Sequence, residues 1–210
     1  MNIQRHPALE NLMSCSAGSM PEALAAVMAS HISLCEYCRR ELAIMETIGA
    51  SLFEEVPSAS LTSGMAITAE AEEPKAHTSG EGDVPAPLRK FVGPWLKNVP
   101  WKWAAPGIWQ HRIPLSGRSK ATLRLIRVSP GRKLPEHGHS GSEMTLVLHG
   151  SFSDSTGSYG VGDVADMNEG DVHAPIVGGG EDCICLVAAE GPMRFDGILG
   201  KIVQKLTGFD

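Results

Sequence analysis

Two groups of residues carry the chemistry available to this sequence. The first is His31-x-x-x-Cys35-x-x-Cys38. On a helix, positions four and three apart share a face, so one imidazole and two thiolates would converge. A tetrahedral zinc ion takes imidazole nitrogen at about 2.0–2.1 Å and thiolate sulfur at about 2.3 Å, and a closed structural site takes four protein ligands. Three are in hand, and His6 and Cys15 are the candidates for the fourth. A bare Cys-x-x-Cys would also suit a thioredoxin-like redox site, but no βαβ pattern surrounds it. The bland reading, a surface histidine beside two core cysteines, leaves three ligand types at the end of one amphipathic helix unexplained. Zinc is the preferred reading.

The second group is His137, His139, Glu143 and His173. In an extended segment His137 and His139 point to one face. Glu143 returns toward them after a short Gly-Ser turn, and Gly141 and Ser142 argue against one helix carrying His139 and Glu143. The run Gly131-x5-His137-x-His139-x3-Glu143-x6-Gly150 resembles the first cupin motif at every defined position. Gly162 through Gly170 and His173 resembles the second, with Asn168 where proline is usual and Val177 where asparagine is usual. The departures lie off the ligands. The resemblance implies three histidines and one glutamate around a divalent metal inside a small barrel. Imidazole plus carboxylate suits zinc, Fe(II), Mn or Ni. A tetrahedral zinc, the expected occupant, would be closed and noncatalytic; octahedral iron or manganese would keep two open positions. Cys183-Ile184-Cys185 places two thiols on one face of a strand, near the upper limit of disulfide reach. They read as small core hydrophobes or, alternatively, as a redox-sensing pair beside the cupin metal.

Two kinds of element must position these groups. Leu24, Val27, Met28, His31, Leu34 and Cys35 form one helical face, opened by a capping-box arrangement of Ser19 and Glu22 with Pro21 between. A second helix, from about Glu36 to Glu54, is expected to bury Leu42, Met45, Ile48, Leu52 and Phe53. A shorter one precedes both, around Pro7 to Met13. Three short helices enclose a small core of the size that often needs a staple. From about residue 98 the pattern turns to short alternating strands with Gly-rich turns, as in ATLRLIRV, EMTLVLHGSF and DCICLVAAEG. Between the halves, residues 57–87 are rich in Ala, Ser, Thr, Gly, Glu and Pro and read as a flexible linker, with a further helix near 88–96. The fold class is therefore multidomain α and β: a zinc-binding helical bundle over 1–56, the linker, and a jelly-roll-like cupin β-barrel over 98–210.

Charge and composition exclude several partners. Residues 1–56 carry 3 basic and 7 acidic groups, and the chain as a whole is at −6. Its front has the wrong sign for attraction to a phosphate backbone, so no direct nucleic acid is expected, whereas a basic protein surface suits it. No run of about 18 apolar residues is present for a membrane span. No secretory signal is visible, so a cytoplasmic chain is expected. Five cysteines in such a chain point to metal or redox chemistry rather than to a disulfide framework.

HISLCEYC with a lone upstream His6 resembles the zinc anti-sigma fold. Followed by a linker and a cupin domain, it resembles the ChrR family of transcriptional regulators. That resemblance implies zinc ligands His6, His31, Cys35 and Cys38, and leaves Cys15 without a counterpart, as a core residue. It implies a cytoplasmic anti-sigma factor, not an enzyme, that binds an extracytoplasmic-function sigma factor of the sigma-E-like group one to one. Release would answer singlet oxygen or related oxidative stress and require the cupin domain. The competing class is a metal-dependent, dioxygenase-like cupin enzyme with an N-terminal zinc module. That reading has complete cupin ligands in its favour, but it finds no recognisable acid or base and leaves the front motif unexplained. A cupin serving as a small-molecule receptor lies between the two.

Overall fold

The computed structural model describes residues 2–54, 56–57, 81–117 and 121–195. Three helices come first: α1 (Leu9–Ser16), α2 (Glu22–Leu34) and α3 (Glu36–Phe53). The expected capping box does not form. Pro21 is the N-cap of α2, and the Glu22 carboxylate instead takes the backbone N–H and the hydroxyl of Ser116 at 2.8–2.9 Å. Helix α2 stops at Cys35, whose backbone is extended (φ −103°, ψ 109°), and α3 begins at the next residue. The metal motif therefore straddles a corner between two helices rather than lying along one.

Hydrophobic burial departs from the expected self-contained helical core. Leu24, Val27 and Met28 of α2 and Leu12 of α1 are buried, but against Leu123, Leu125, Met144, Leu146 and Leu186 of the β half. The two halves thus share one core. Helix α3 only borders it: Leu42 and Met45 pack half-buried against this core, whereas Ile48, Leu52 and Phe53, expected inside, are exposed.

The segment expected as linker and short helix is packed where it is described. Residues 58–80 lie outside the described residues. From Glu81 onward Val84, Leu88, Val92, Leu96 and Val99 join the same shared core. The helix expected over 88–96 is only α4 (Arg89–Val92), entered from a 3-10 turn (Ala86–Leu88) and ended by Gly93 at φ +76° with Pro94 behind it.

Twelve strands follow among the described residues. β1 (Lys102–Ala105), β2 (Ile108–Ile113), β3 (Thr122–Val128), β5 (Glu143–His149), β8 (Val164–Met167) and β11 (Cys183–Ala189) form an antiparallel sheet in the order β1-β2-β3-β11-β5-β8. The period-two alternation of β11 decides its two faces. Ile184, Leu186 and Ala188 meet the helices, while Cys183, Cys185 and Val187 face a second core with Val147, Phe152, Tyr159 and Val177. Two three-stranded ladders complete the domain: β10 (Ile176–Val177), β6 (Phe152–Asp154) and β7 (Gly157–Tyr159); and β12 (Met193–Phe195), β4 (His137–His139) and β9 (Val172–His173). This is a cupin-like β domain, but among the described residues its three ladders do not close into the expected barrel. Also among the described residues, no helix is long and apolar enough to cross a membrane.

Candidate metal centres

The front cluster is assembled at the α2–α3 corner. His31 comes from the last turn of α2, Cys35 is the N-cap of α3, Cys38 lies in the first turn of α3, and His6 arrives from the segment before α1. One ligand atom from each lies within 4.8 Å of the other three. His31 Nε2 is 3.3 Å from Cys38 Sγ, and His6 Nδ1 is 3.4 Å from both Cys35 Sγ and Cys38 Sγ. A tetrahedron with metal–ligand bonds of about 2.0–2.3 Å has edges of roughly 3.3–3.8 Å. The spacing fits. Cys15, the other candidate fourth ligand, is not in the cluster and packs half-buried against the core.

Electrostatics give the same answer. Burial holds His31 down to about 4, so at neutral pH it is the neutral imidazole that binds metals. Its Nδ1–H donates to the Gly162 carbonyl at 2.9 Å, which leaves Nε2 with its lone pair aimed at the cluster. Burial, with the Cys35 thiol beside it, pushes Cys38 up to about 12. A thiolate in that place needs a cation.

The second cluster joins strands that the sequence separates by up to 36 residues. β4 supplies His137 and His139 on one face, β9 pairs with it in the register His137↔His173, and Glu143 opens β5 after the Ser140–Ser142 turn. All four side chains are buried and their ligand atoms again lie within 4.8 Å of one another. His173 Nε2 is 3.0 Å from His137 Nε2 and 3.3 Å from His139 Nε2.

The tautomers follow from the outer partners. His137 Nδ1–H donates to the Pro135 carbonyl at 2.9 Å, and His173 Nδ1–H donates to Asp154 Oδ2 at 2.8 Å. With Nδ1 so engaged on both rings, the two Nε2 atoms face each other at 3.0 Å, a contact that a bound metal ion would satisfy. Burial holds His137 and His139 each at about 4 and raises Glu143 to about 7. Glu143 Oε2 is buried with no hydrogen-bond partner among the described residues. Three imidazoles and a buried carboxylate, whose Oε2 has His139 Nδ1 3.4 Å away, fit a divalent metal. Asp154 itself stays ionised. Burial pushes its carboxyl up, but hydrogen bonds from Thr156 and His173 outweigh that and hold it below the usual range.

A family model described as the ChrR cupin-like domain matches residues 95–193. The anti-sigma-E factor ChrR of Cereibacter sphaeroides is 36% identical over 210 residues, covering 97% of this chain and 98% of that one. The chain belongs to the ChrR family of anti-sigma factors. The solved structure of Rhodobacter sphaeroides SigE in complex with the anti-sigma ChrR matches with a TM-score of 0.78 and 35% identity, over 90% of this chain and 100% of that one. Both the front and the back cluster are thus present in this ChrR-family chain.

Two results go beyond the sequence reading. Cys183 and Cys185 are buried in the inner core with sulfurs 3.6 Å apart. The Cys183 sulfur, burial and the nearby Glu143 all raise the Cys185 thiol well above its ordinary range, so the thiolate is disfavoured in this fold. The outer partners were missed altogether: Asp154, Gly162, and Asp163 and Asp166, which hold the segment carrying His6. Asp154-Ser155-Thr156-Gly157 does read as a turn, because aspartate caps turn N–H groups, but nothing local ties that turn to His173.

Proposed function

We propose that this protein is an anti-sigma factor that binds and inhibits an extracytoplasmic-function sigma factor of the sigma-E-like group, one to one. The observation that carries this reading is the similarity to an anti-sigma-E factor along 97% of the chain, which spans both halves rather than the cupin alone. Its non-enzymatic, regulatory role follows from the same relation, and the cupin-enzyme reading gives way to it.

The surface chemistry supports the assignment. Tyr37, Ile44, Ile48 and Leu52 repeat at seven and four along one face of α3, and they are 53–66% exposed with Phe53 at 76%. Leu9 and Met13 of the adjoining α1 add to the apolar surface. Exposed apolar patches rimmed by charge mark protein contacts, and the acidic front favours a basic partner. The front cluster holds zinc in this reading, His6, His31, Cys35 and Cys38 being its ligands, and the ion fixes the α2–α3 corner from which that face projects. His137, His139, Glu143 and His173 hold a second divalent metal, zinc by preference, and Cys183 and Cys185 serve as packed thiols beside it. The cupin half acts in release of the sigma factor under singlet oxygen or related oxidative stress, in the cytoplasm.

The test is capture of the host's cytosolic proteins on tagged full-length chain. Wild type retains a stoichiometric sigma factor, and His31→Ala/Cys35→Ala loses it. Retention of the sigma factor by a folded, zinc-free variant would remove the metal from the mechanism; no sigma factor on wild type would remove the function.

A further inference from the structure

The helical half supplies all four front ligands, but the cupin half orients two of them. His6 sits in a strap, residues 4–8, laid along β8, the free edge of the six-stranded sheet. Asp163 Oδ1 accepts the N–H groups of Gln4 and Arg5 at 2.7 and 2.9 Å, and Val164 N–H donates to the Arg5 carbonyl at 3.1 Å. Past His6 and Pro7, Asp166 Oδ2 accepts the Ala8 N–H at 2.9 Å and the Asn11 side-chain amide at 2.7 Å. The neighbouring Gly162 carbonyl fixes the tautomer of His31. Two of the four front ligands are therefore oriented by one short stretch of the cupin domain.

The same strap reaches toward the other metal site. The Arg5 guanidinium lies over the Tyr159 ring, 5.7 Å from its centroid, and against Gly157, where any Cβ would collide with it and φ is +151°. The Tyr159 hydroxyl donates to Thr156 Oγ1 at 2.7 Å, whose own hydroxyl donates to Asp154 Oδ1 at 2.6 Å. Asp154 Oδ2 accepts the hydrogen bond of His173 Nδ1–H. The Thr156 hydroxyl accepts from Tyr159 and donates to Asp154, so the line runs in a single direction.

We propose that the two metal sites are coupled through this line, with the strap docked on β8 or released from it as the two-state element. Metal on His173 fixes the imidazole, Asp154 and the Thr156–Tyr159 platform, and a fixed platform keeps Arg5 and hence His6 in place. Loss of the cupin metal loosens the strap and opens the front site. The coupling is reciprocal, as any linkage between binding equilibria must be. It rests on the reading of both clusters as metal sites.

The experiment uses zinc-loaded full-length chain and measures how fast iodoacetamide alkylates Cys35 and Cys38, read by peptide mass spectrometry. Emptying the cupin site with His139→Ala should raise that rate about tenfold, the lower end of what outer-shell disruption costs a metal site. In chains carrying Thr156→Val, an exposed position, or Tyr159→Phe, which removes one oxygen, the ratio between emptied and filled cupin should fall below twofold. The front site itself should already be faster to react. A ratio near one in wild type, or a tenfold ratio that survives both hydroxyl deletions, overturns the coupling. Metal analysis separates the premises: two zinc ions per wild-type chain with no ratio overturns the coupling alone, whereas absence of zinc at the front overturns the site assignment with it.

Discussion

Replacing Asp154 by asparagine is the sharpest test of the cupin site, because the change is nearly isosteric and its outcome is dictated by hydrogen-bond direction. Asp154 Oδ1 accepts three donors: Thr156 N–H at 2.8 Å, the Thr156 hydroxyl at 2.6 Å and Gly157 N–H at 3.2 Å. An asparagine must keep its oxygen there, since turning the amide over would set its own N–H groups against all three. Its nitrogen then faces His173 Nδ1, 2.8 Å from the position of Oδ2. Two donors cannot share that contact, so His173 moves its proton to Nε2, the atom that converges with His137 and His139. The metal lone pair is lost from one of four ligands. Outer-shell partners of this kind are worth roughly 10- to 100-fold in metal affinity, or about 1.4–2.8 kcal/mol. Competition of the zinc-loaded chain against a chromogenic chelator measures the affinity, and nitrogen-15 NMR of the metal-free imidazole reports the tautomer. Binding within twofold of wild type, with the His173 proton still on Nδ1, would refute the reasoning.

Other consequences are equally direct. Ile48→Asp or Leu52→Asp should abolish capture of the sigma factor while leaving metal content and melting temperature unchanged, since both side chains project from α3 into solvent; a simultaneous fall in melting temperature would mean that the face is structural. Met28→Ala removes a fully buried side chain from the core shared by α2 and the sheet. A loss of about 2–5 kcal/mol is expected in urea unfolding. Helix and sheet signals should shift together, and separate transitions would break the single-core picture. Glu143, raised to about 7 by burial, must lose its proton to bind metal, whereas His137 and His139 are already neutral down to about 4. Cupin metal affinity should therefore fall by about one decade per pH unit below pH 7 and more steeply near 4. A pH-independent affinity between 7 and 5, measured by metal competition, would contradict it.

The same structure explains which inferences from sequence survive folding. Ligand spacing is local information: His137, His139 and Glu143 are set by strand alternation and a three-residue turn, and His31, Cys35 and Cys38 converge whether the helix continues or bends at Cys35. Burial of the α2 face was likewise legible from its period, down to His31. The face of α3 was not. Its apolar residues repeat like those of a core helix, and periodicity cannot distinguish packing inside one chain from a surface that awaits another.

By itself, the sequence determined the candidate ligands and their grouping into two clusters, the helical front and the β-rich back, and the family to which the chain belongs. Tertiary structure alone decided that α1 and α2 share a core with the sheet, that α3 meets it with only Leu42 and Met45, and that the front site is finished by Gly162, Asp163 and Asp166. The physical reason is range. A ligand motif is written within a turn or a strand, where backbone geometry maps spacing onto direction. The partners that orient the front ligands lie about 130–160 residues away, from Gly162 on His31 to Asp163 on Gln4. No local period encodes them, and they meet only because the whole chain packs.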